Sequence, residues 1–325
     1  MHRRPLALLL IAIFLLSGCN DFLAQRLVAP PNGRTASNTP SLTTNEILLP
    51  VGPPKATLAF WILEPVLPAK GTVLVLHGFI TNHHQVERPA KALQSAGYRA
   101  VLVDLPGHGK STADHITYGI NDAHDLAQLT TYLQKNNLCG PTIGVFGTSY
   151  GAASAILFAG GDPRVTAVVA VAPFATLREE APYFGKHLLP LPGLFMSPAD
   201  YLAVVNTMGR LAGFDPDACS PLDAIRKTAA HIRLFHGTWD YIIPSKSSEE
   251  LAAAAPDRTK LTLFPGQGHL ALCLDPFGEL RTATLAWFDR YLAAVTPAET
   301  APHSPSPDSP AAPPSAARHT PFPPP

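Results

Sequence analysis

Apolar residues along this chain fall into short unbroken runs separated by stretches with helical spacing. Gly71 to His77 reads GTVLVLH, and similar runs recur at Arg99 to Asp104, Thr142 to Phe146, Val165 to Ala172, His231 to His236 and Leu261 to Phe264. A strand exposed on one face alternates apolar with polar, so unbroken runs predict strands covered on both faces, as in a parallel sheet between helical layers. Between them, Gln85 to Ala96 has helical periodicity and stops at Gly97. Asn121 to Lys135 starts with two residues suited to a helix N-terminus, and further helices are expected over Ser245 to Ala255 and Pro276 to Ala294. Two more strands, Glu46 to Val51 and Thr57 to Leu63, flank a turn at Gly52-Pro53-Pro54. This alternation predicts an α/β protein with a doubly wound, mostly parallel sheet.

The rhythm breaks between Pro173 and about Lys227, where prolines are frequent and Ser197-Pro198-Ala199-Asp200 marks one helix start. That helix carries Tyr201, Leu202, Val204, Val205, Met208 and Leu211, a wide apolar surface. A lid inserted between two strands, over about 174–227, accounts for the pattern; packing of the same residues on the main core is the alternative.

The ends read differently. Arg3 and Arg4 precede the apolar run Pro5 to Leu16, about a dozen residues where a membrane-spanning helix needs roughly 20, so 1–18 is expected to be a signal peptide. Leu16-Ser17-Gly18-Cys19 resembles the bacterial lipobox, which implies cleavage before Cys19 and a lipid on that cysteine. Residues 19–45 then read as a flexible tether, 46–295 as the folded domain, and 296–325, with 11 prolines, as a disordered tail. The expected setting is the cell envelope, outside the cytoplasm, with the membrane as partner through Cys19.

Composition narrows the function. Twenty-four basic and 24 acidic residues cancel, which argues against a nucleic-acid partner. The four cysteines leave Cys139, Cys219 and Cys273 once Cys19 is set aside; Cys219 and Cys273, both near the expected active-site face, are the candidate pair. No metal-ligand spacing is present and no cofactor is expected. Gly109-Lys110-Ser111 looks like the end of a phosphate-binding loop, but Asp104 stands where its first glycine would be.

Candidate chemistry centres on Gly147-Thr148-Ser149-Tyr150-Gly151, where a β-branched run meets a small-residue run without a loop. A strand that becomes a helix this abruptly strains its central residue, and the flanking glycines let strand and helix approach. This G-x-S-x-G segment resembles the nucleophile elbow of the α/β-hydrolase superfamily. The resemblance covers roughly Gly71 to Ala294 and implies a triad in the order serine, acid, histidine. His269, after the last expected strand in Gly266-Gln267-Gly268-His269, is the candidate base. His236-Gly237-Thr238-Trp239-Asp240-Tyr241-Ile242-Ile243-Pro244 resembles the segment that carries the acid, implying Asp240, with Asp275 as the nearby rival. His77-Gly78-Phe79 resembles the oxyanion-loop segment, so the backbone N–H groups of Phe79 and Tyr150 are the expected oxyanion donors, with His77 structural. Asp104 to Ser111 matches the D-x-x-G-H-G-x-S loop of many esterases and lysophospholipase-like members; Asp104 and His108 read as scaffolding.

These features imply a serine hydrolase acting on small-molecule carboxylic esters. Phe174, Tyr183, Phe184, Leu194, Phe195, Met196 and Met208 are candidate pocket residues for an apolar acyl group. Ser-Tyr elbow members also imply that the Tyr150 hydroxyl points toward substrate. A peptidase of the prolyl-oligopeptidase type and a non-catalytic ligand-binding lipoprotein remain as alternatives.

Overall fold

A computed structural model of the chain describes residues 20–31, 45–188, 196–274 and 278–292. The expected signal peptide, Cys19, residues 32–44 and the proline-rich tail therefore lie outside the described residues, as do Asp275, Leu194 and Phe195.

Eight strands form one sheet: β1 (Glu46–Val51), β2 (Ala56–Leu63), β3 (Thr72–Leu76), β4 (Arg99–Asp104), β5 (Ile143–Thr148), β6 (Val165–Val171), β7 (His231–Gly237) and β8 (Thr259–Phe264). Their order is β1-β2-β4-β3-β5-β6-β7-β8. The two pairings made by β2, to β1 and to β4, are antiparallel, and the rest are parallel. The unbroken apolar runs in β3 to β7 are buried on both sides, whereas β8, at the edge of the sheet, is only partly buried. In β3, Leu74 and Leu76 enter one core with Val101, Val145 and Val168, whereas Val73 and Val75 face a second core with Leu102, Phe146 and Val169.

Helices cover both faces. They are α1 (residues 20–28), α2 (Glu87–Ser95, entered through a 3-10 turn at His83–Val86), α3 (Ile120–Lys135), α4 (Tyr150–Gly161), α5 (Leu177–Leu188), α6 (Pro198–Ala212), α7 (Pro221–Lys227), α8 (Lys246–Ala254), α9 (His269–Leu274) and α10 (Glu279–Tyr291). Helices α2 and α10 pack on the second core through Ala90, Leu93, Leu280 and Phe288. Helices α3, α4, α7 and α8 pack on the first through Leu126, Leu129, Ile156, Ile225 and Leu251. Gly144 in β5 lets α10 approach closely, since a Cβ there would lie 2.7 Å from the Phe288 ring. The insertion between β6 and β7 carries α5, α6 and α7; Ser197 caps α6, accepting from the Asp200 amide, and Pro198 occupies the first turn. No helix among the described residues is long and apolar enough to cross a membrane.

Two expectations are corrected. The stretch read as the start of a flexible tether contains α1. Averaging composition over 19–45 hid a short amphipathic segment, NDFLAQRLV, in which Leu23, Ala24, Leu27 and Val28 share one face. Leu23, Ala24 and Val28 are buried in the first core. The helix is tied down at its end, where Ile116 N–H donates to Val28 O (2.9 Å) and the Tyr118 hydroxyl to Leu27 O (2.9 Å). Cys219 is a free, buried thiol rather than half of a disulfide; its Sγ lies 3.5 Å from the Thr117 carbonyl, and burial pushes its pKa up. The side chain of Cys273 lies outside the described residues.

Because core packing of Leu23 adds to the two hydrogen bonds at the end of α1, Leu23→Ala should lower stability by about 2–3 kcal/mol, the cost of removing a buried leucine side chain. Denaturant unfolding of the two proteins measures this; a change near zero would mean that α1 contributes no packing energy.

Candidate active site

At the end of β5 the chain turns into α4 with a single residue between them, Ser149, at φ 54 and ψ −117. That conformation is unfavourable for a residue with a Cβ and persists only where its surroundings enforce it. The Ser149 N–H donates to Val171 O on β6 (2.7 Å), fixing the turn to the sheet. Gly147 and Gly151 permit the crossing: a Cβ at Gly147 would stand 2.3 Å from Gly151 O, and one at Gly151 would stand 2.4 Å from His77 O.

Loops at the carboxyl ends of β7 and β8 bring the other two motif residues to Ser149. Ser149 Oγ lies 2.9 Å from His269 Nε2, and His269 Nδ1 lies 2.6 Å from Asp240 Oδ2. With Nδ1 as donor to the carboxylate, Nε2 is free to accept the serine proton. Asp240 is buried, and its Oδ1 accepts the amides of Ile242 (3.0 Å) and Ile243 (2.9 Å). Burial alone would raise its pKa, but hydrogen bonds from His236 and His269 and the Ile243 amide outweigh this and hold the carboxyl well below its usual value.

His236, the first residue of the segment that carries the acid, is a positioning residue whose role the motif did not reveal. Its Nδ1 lies 2.7 Å from Ser248 Oγ, and its Nε2 lies 2.8 Å from Ile243 O and 3.4 Å from Asp240 Oδ2. The Nε2 proton thus sits between a carbonyl and the carboxylate, on the same Asp240 oxygen that accepts from His269.

The loop after β3 is clamped by another unanticipated residue, Gln85. Its Oε1 accepts from Gly78 N–H (2.6 Å) and Thr81 Oγ–H (2.9 Å), setting the path of the chain through Phe79. Tyr150 is the first residue of α4, so its N–H points out of the helix end without an intrahelical acceptor. Among the described residues no hydrogen bond uses the Phe79 or Tyr150 amide. His77 is fully buried, its Nδ1 2.7 Å from Gly78 O and its Nε2 accepting from Leu105 N–H (3.0 Å), with burial lowering its pKa. Asp104 takes the His83 amide (2.7 Å) and Nδ1 (2.9 Å) on one oxygen and the Lys110 amide (2.8 Å) on the other. His108 Nδ1 donates to Pro106 O (3.0 Å), and burial drops its pKa to about 3. All three hold loops together.

The expected reach of the Tyr150 hydroxyl toward substrate is corrected: it donates to Asp122 Oδ2 (3.1 Å), a carboxyl whose pKa burial raises to about 7. One group among the described residues has metal-like spacing, His83, His84 and Glu87, with ligand atoms within 4.8 Å of one another. The Nδ1 atoms of the two histidines are already engaged by Asp104 and Glu87, each within hydrogen-bonding distance.

Ser149 opens into a narrow, partly open cavity lined mainly by apolar side chains. Of the candidate pocket residues, Phe174, Phe184, Met196 and Met208 line it. Tyr183 does not, being 44% exposed on the outer side of α5. Sequence reading missed Leu23 and Leu27 of α1, Leu177, Glu180 and Ala181 of α5, and Ile243 beside the acid. The signal for Glu180 was helical spacing, since it shares a face with Leu177, Ala181 and Phe184. It is a carboxyl only 5% exposed, with Oε1 unpartnered. Burial, reinforced by the negative charge of Asp240, pushes its pKa from 4.5 to about 9.

A raised carboxyl pKa has a defined sign. From pH 4.5 to about 9 the unfolded chain gives up a proton that folded Glu180 retains, so this group's contribution to stability falls as pH rises. Glu180→Gln should therefore gain stability relative to the parent as pH rises through that window, and differ least at its acid end. Denaturant midpoints at pH 5 and pH 8 measure the difference; an offset independent of pH would contradict the burial of an ionisable carboxyl here.

Residues 68–210 match a family model described as serine aminopeptidase, S33. The uncharacterized protein YqkD of Bacillus subtilis (strain 168) is 27% identical over 183 residues, which is 55% of this chain and 58% of that protein, so the match spans little more than half of the relative's length. An esterase from Pyrococcus furiosus superposes with a TM-score of 0.65 at 21% identity, covering 82% of this chain and 98% of its own. A puromycin-hydrolyzing peptidase from Mycobacterium tuberculosis gives a TM-score of 0.59 at 18% identity, covering 79% of this chain and 41% of its own. The chain has the α/β-hydrolase fold, and the family match and these neighbours support a hydrolase of the serine type.

Proposed function

We propose that the protein hydrolyses carboxylic esters with an apolar acyl group, through an acyl-enzyme on Ser149. The observation that carries this reading is the continuous hydrogen-bonded chain Ser149–His269–Asp240 opening onto an apolar cavity. His269 Nε2 takes the serine proton as Oγ attacks the ester carbonyl, and Asp240 stabilises the imidazolium that results. The oxyanion of the tetrahedral intermediate is received by the Phe79 and Tyr150 amides, donors of a kind worth roughly 3 kcal/mol each. His269 then returns the proton to the departing alcohol. A water activated by the same imidazole attacks the acyl-enzyme and restores the serine.

A peptidase of the prolyl-oligopeptidase type is the second reading, favoured by the serine aminopeptidase description of the matching family and by a peptidase among the structural neighbours. The mainly aliphatic lining favours the ester, with Leu23, Leu27, Leu177, Val204 and Val205 offering hydrocarbon to an acyl chain. A non-catalytic binding protein would have little use for a strained serine aligned on a histidine. For location we propose a lipid on Cys19 and an extracytoplasmic, membrane-attached enzyme, on the strength of Leu16-Ser17-Gly18-Cys19.

A fluorophosphonate probe should label the purified protein at Ser149, and Ser149→Ala should lose both label and turnover while unfolding within about 0.5 kcal/mol of the parent. The parent should cleave an aryl ester far faster than an aminoacyl anilide; absence of label would end the enzyme reading, and the opposite rate order would favour the peptidase. Cys19→Ala should release the protein from the membrane fraction and abolish incorporation of radiolabelled palmitate. Retention in that fraction with unchanged labelling would remove the lipid-anchor proposal.

A further inference from the structure

Among the side chains that line the cavity, polar groups are few and most are committed. The hydroxyls of Tyr118 and Tyr150 donate to Leu27 O and Asp122 Oδ2, and Ser149 belongs to the triad. Glu180 differs: it lines the same cavity, is 5% exposed, and keeps Oε1 buried without a partner. An unpaired acceptor in an apolar wall is costly, and a leucine or methionine of similar size would avoid that cost. Such a group persists where something that visits the cavity pairs with it.

We propose that Glu180 is a specificity residue that selects acyl groups carrying a hydroxyl close to the ester carbonyl, by hydrogen bonding that hydroxyl through its unpartnered Oε1. The inference rests on the esterase reading above. Two features define the ligand. Glu180 lines the same cavity as Ser149 and as Ile243, whose amide donates to the triad carboxylate, so the group it receives is carried on the first few carbons of the chain rather than at its far end. Burial keeps the carboxyl protonated through neutral pH, so it offers one O–H donor and a carbonyl acceptor, the complement of an alcohol, which is also both. The hydrocarbon on either side of that contact meets Leu177, Ala181 and Ile243. A site built to pair a substrate hydroxyl discriminates against the analogue that lacks it, because the protein group is then left unpaired in its place.

The test compares p-nitrophenyl 3-hydroxyhexanoate with p-nitrophenyl hexanoate, which share a leaving group and differ in one hydroxyl. The parent should prefer the hydroxylated ester about tenfold in kcat/KM, the size of one net hydrogen bond. Glu180→Gln, which keeps a donor and an acceptor, should retain the preference within about threefold. Glu180→Leu should invert it, gaining on the plain ester and losing on the hydroxylated one. Binding of 3-hydroxyhexanamide and hexanamide to Ser149→Ala, and to Ser149→Ala combined with Glu180→Leu, reads the same contact without turnover. The hydroxylated amide should bind about tenfold tighter to the first protein only. Equal binding of both amides to both proteins overturns the proposal whether or not esters are cleaved. Absence of turnover on either ester with the binding preference intact would instead count against the esterase reading alone. A preference for a 3-amino ester that Glu180→Gln abolishes would overturn the neutral-acid contact and make Glu180 an anionic receptor for an amine.

Discussion

Everything in the candidate site hangs on one backbone constraint, the turn that carries the chain from β5 into α4 through Ser149 alone. A residue at φ 54 and ψ −117 stores of order 1–3 kcal/mol of strain and holds that conformation because its surroundings over-determine it. Here the surroundings are specific. β5 lies between β3 and β6 in the middle of the sheet, the Ser149 amide is tied to Val171, and the glycines at 147 and 151 allow backbone to lie where a side chain would otherwise stand. The same turn lifts Oγ clear of the sheet and leaves the Tyr150 amide at an open helix end, so one local distortion positions both groups on which the proposed chemistry depends.

The neighbouring loops can reach that point because the strands from β3 to β8 run parallel and end on one edge. Each arriving residue is braced from behind. His236 and two backbone amides hold Asp240, and Gln85 holds the loop that contains Phe79. The cavity is assembled from less regular material, the helices of the β6–β7 insertion and α1 from the start of the described chain. Placing a buried carboxyl in that apolar wall opposes stability and adds chemical selectivity, the trade expected of a binding surface rather than of a core.

How much of this was readable depended on the range of the interactions involved. The strands were legible because double-sided burial writes unbroken apolar runs such as TVLVL into the chain. Ser149, Asp240 and His269 could be singled out because each lies in a short motif at a strand end, and the fold brings those ends together. Helix α1 escaped because its polar neighbours swamped a nine-residue amphipathic pattern that acquires meaning only when docked on Ile116 and Tyr118. Gln85 acts through hydrogen bonds that no local pattern encodes, and His236, although it opens the motif of Asp240, shows its bracing role only in its contacts with Ser248, Ile243 and Asp240. Glu180 shares helical spacing with Leu177, Ala181 and Phe184 whereas Glu179 does not, but that spacing gains meaning only because α5 lays this face on the cavity and leaves Glu179 at the surface. The Tyr150 hydroxyl was misplaced for the same reason, because its partner Asp122 lies on a different helix.

The central claim is that turnover passes through a covalent acyl group on Ser149. Rapid acid quench of the protein with p-nitrophenyl hexanoate, followed by mass spectrometry of the intact chain and its peptides, tests this most directly. The account predicts a transient mass increase of one hexanoyl group, confined to the peptide that contains Ser149 and absent from Ser149→Ala. Steady turnover with no acylated species, or an acyl group carried on Cys139 or Cys219 instead, would contradict it.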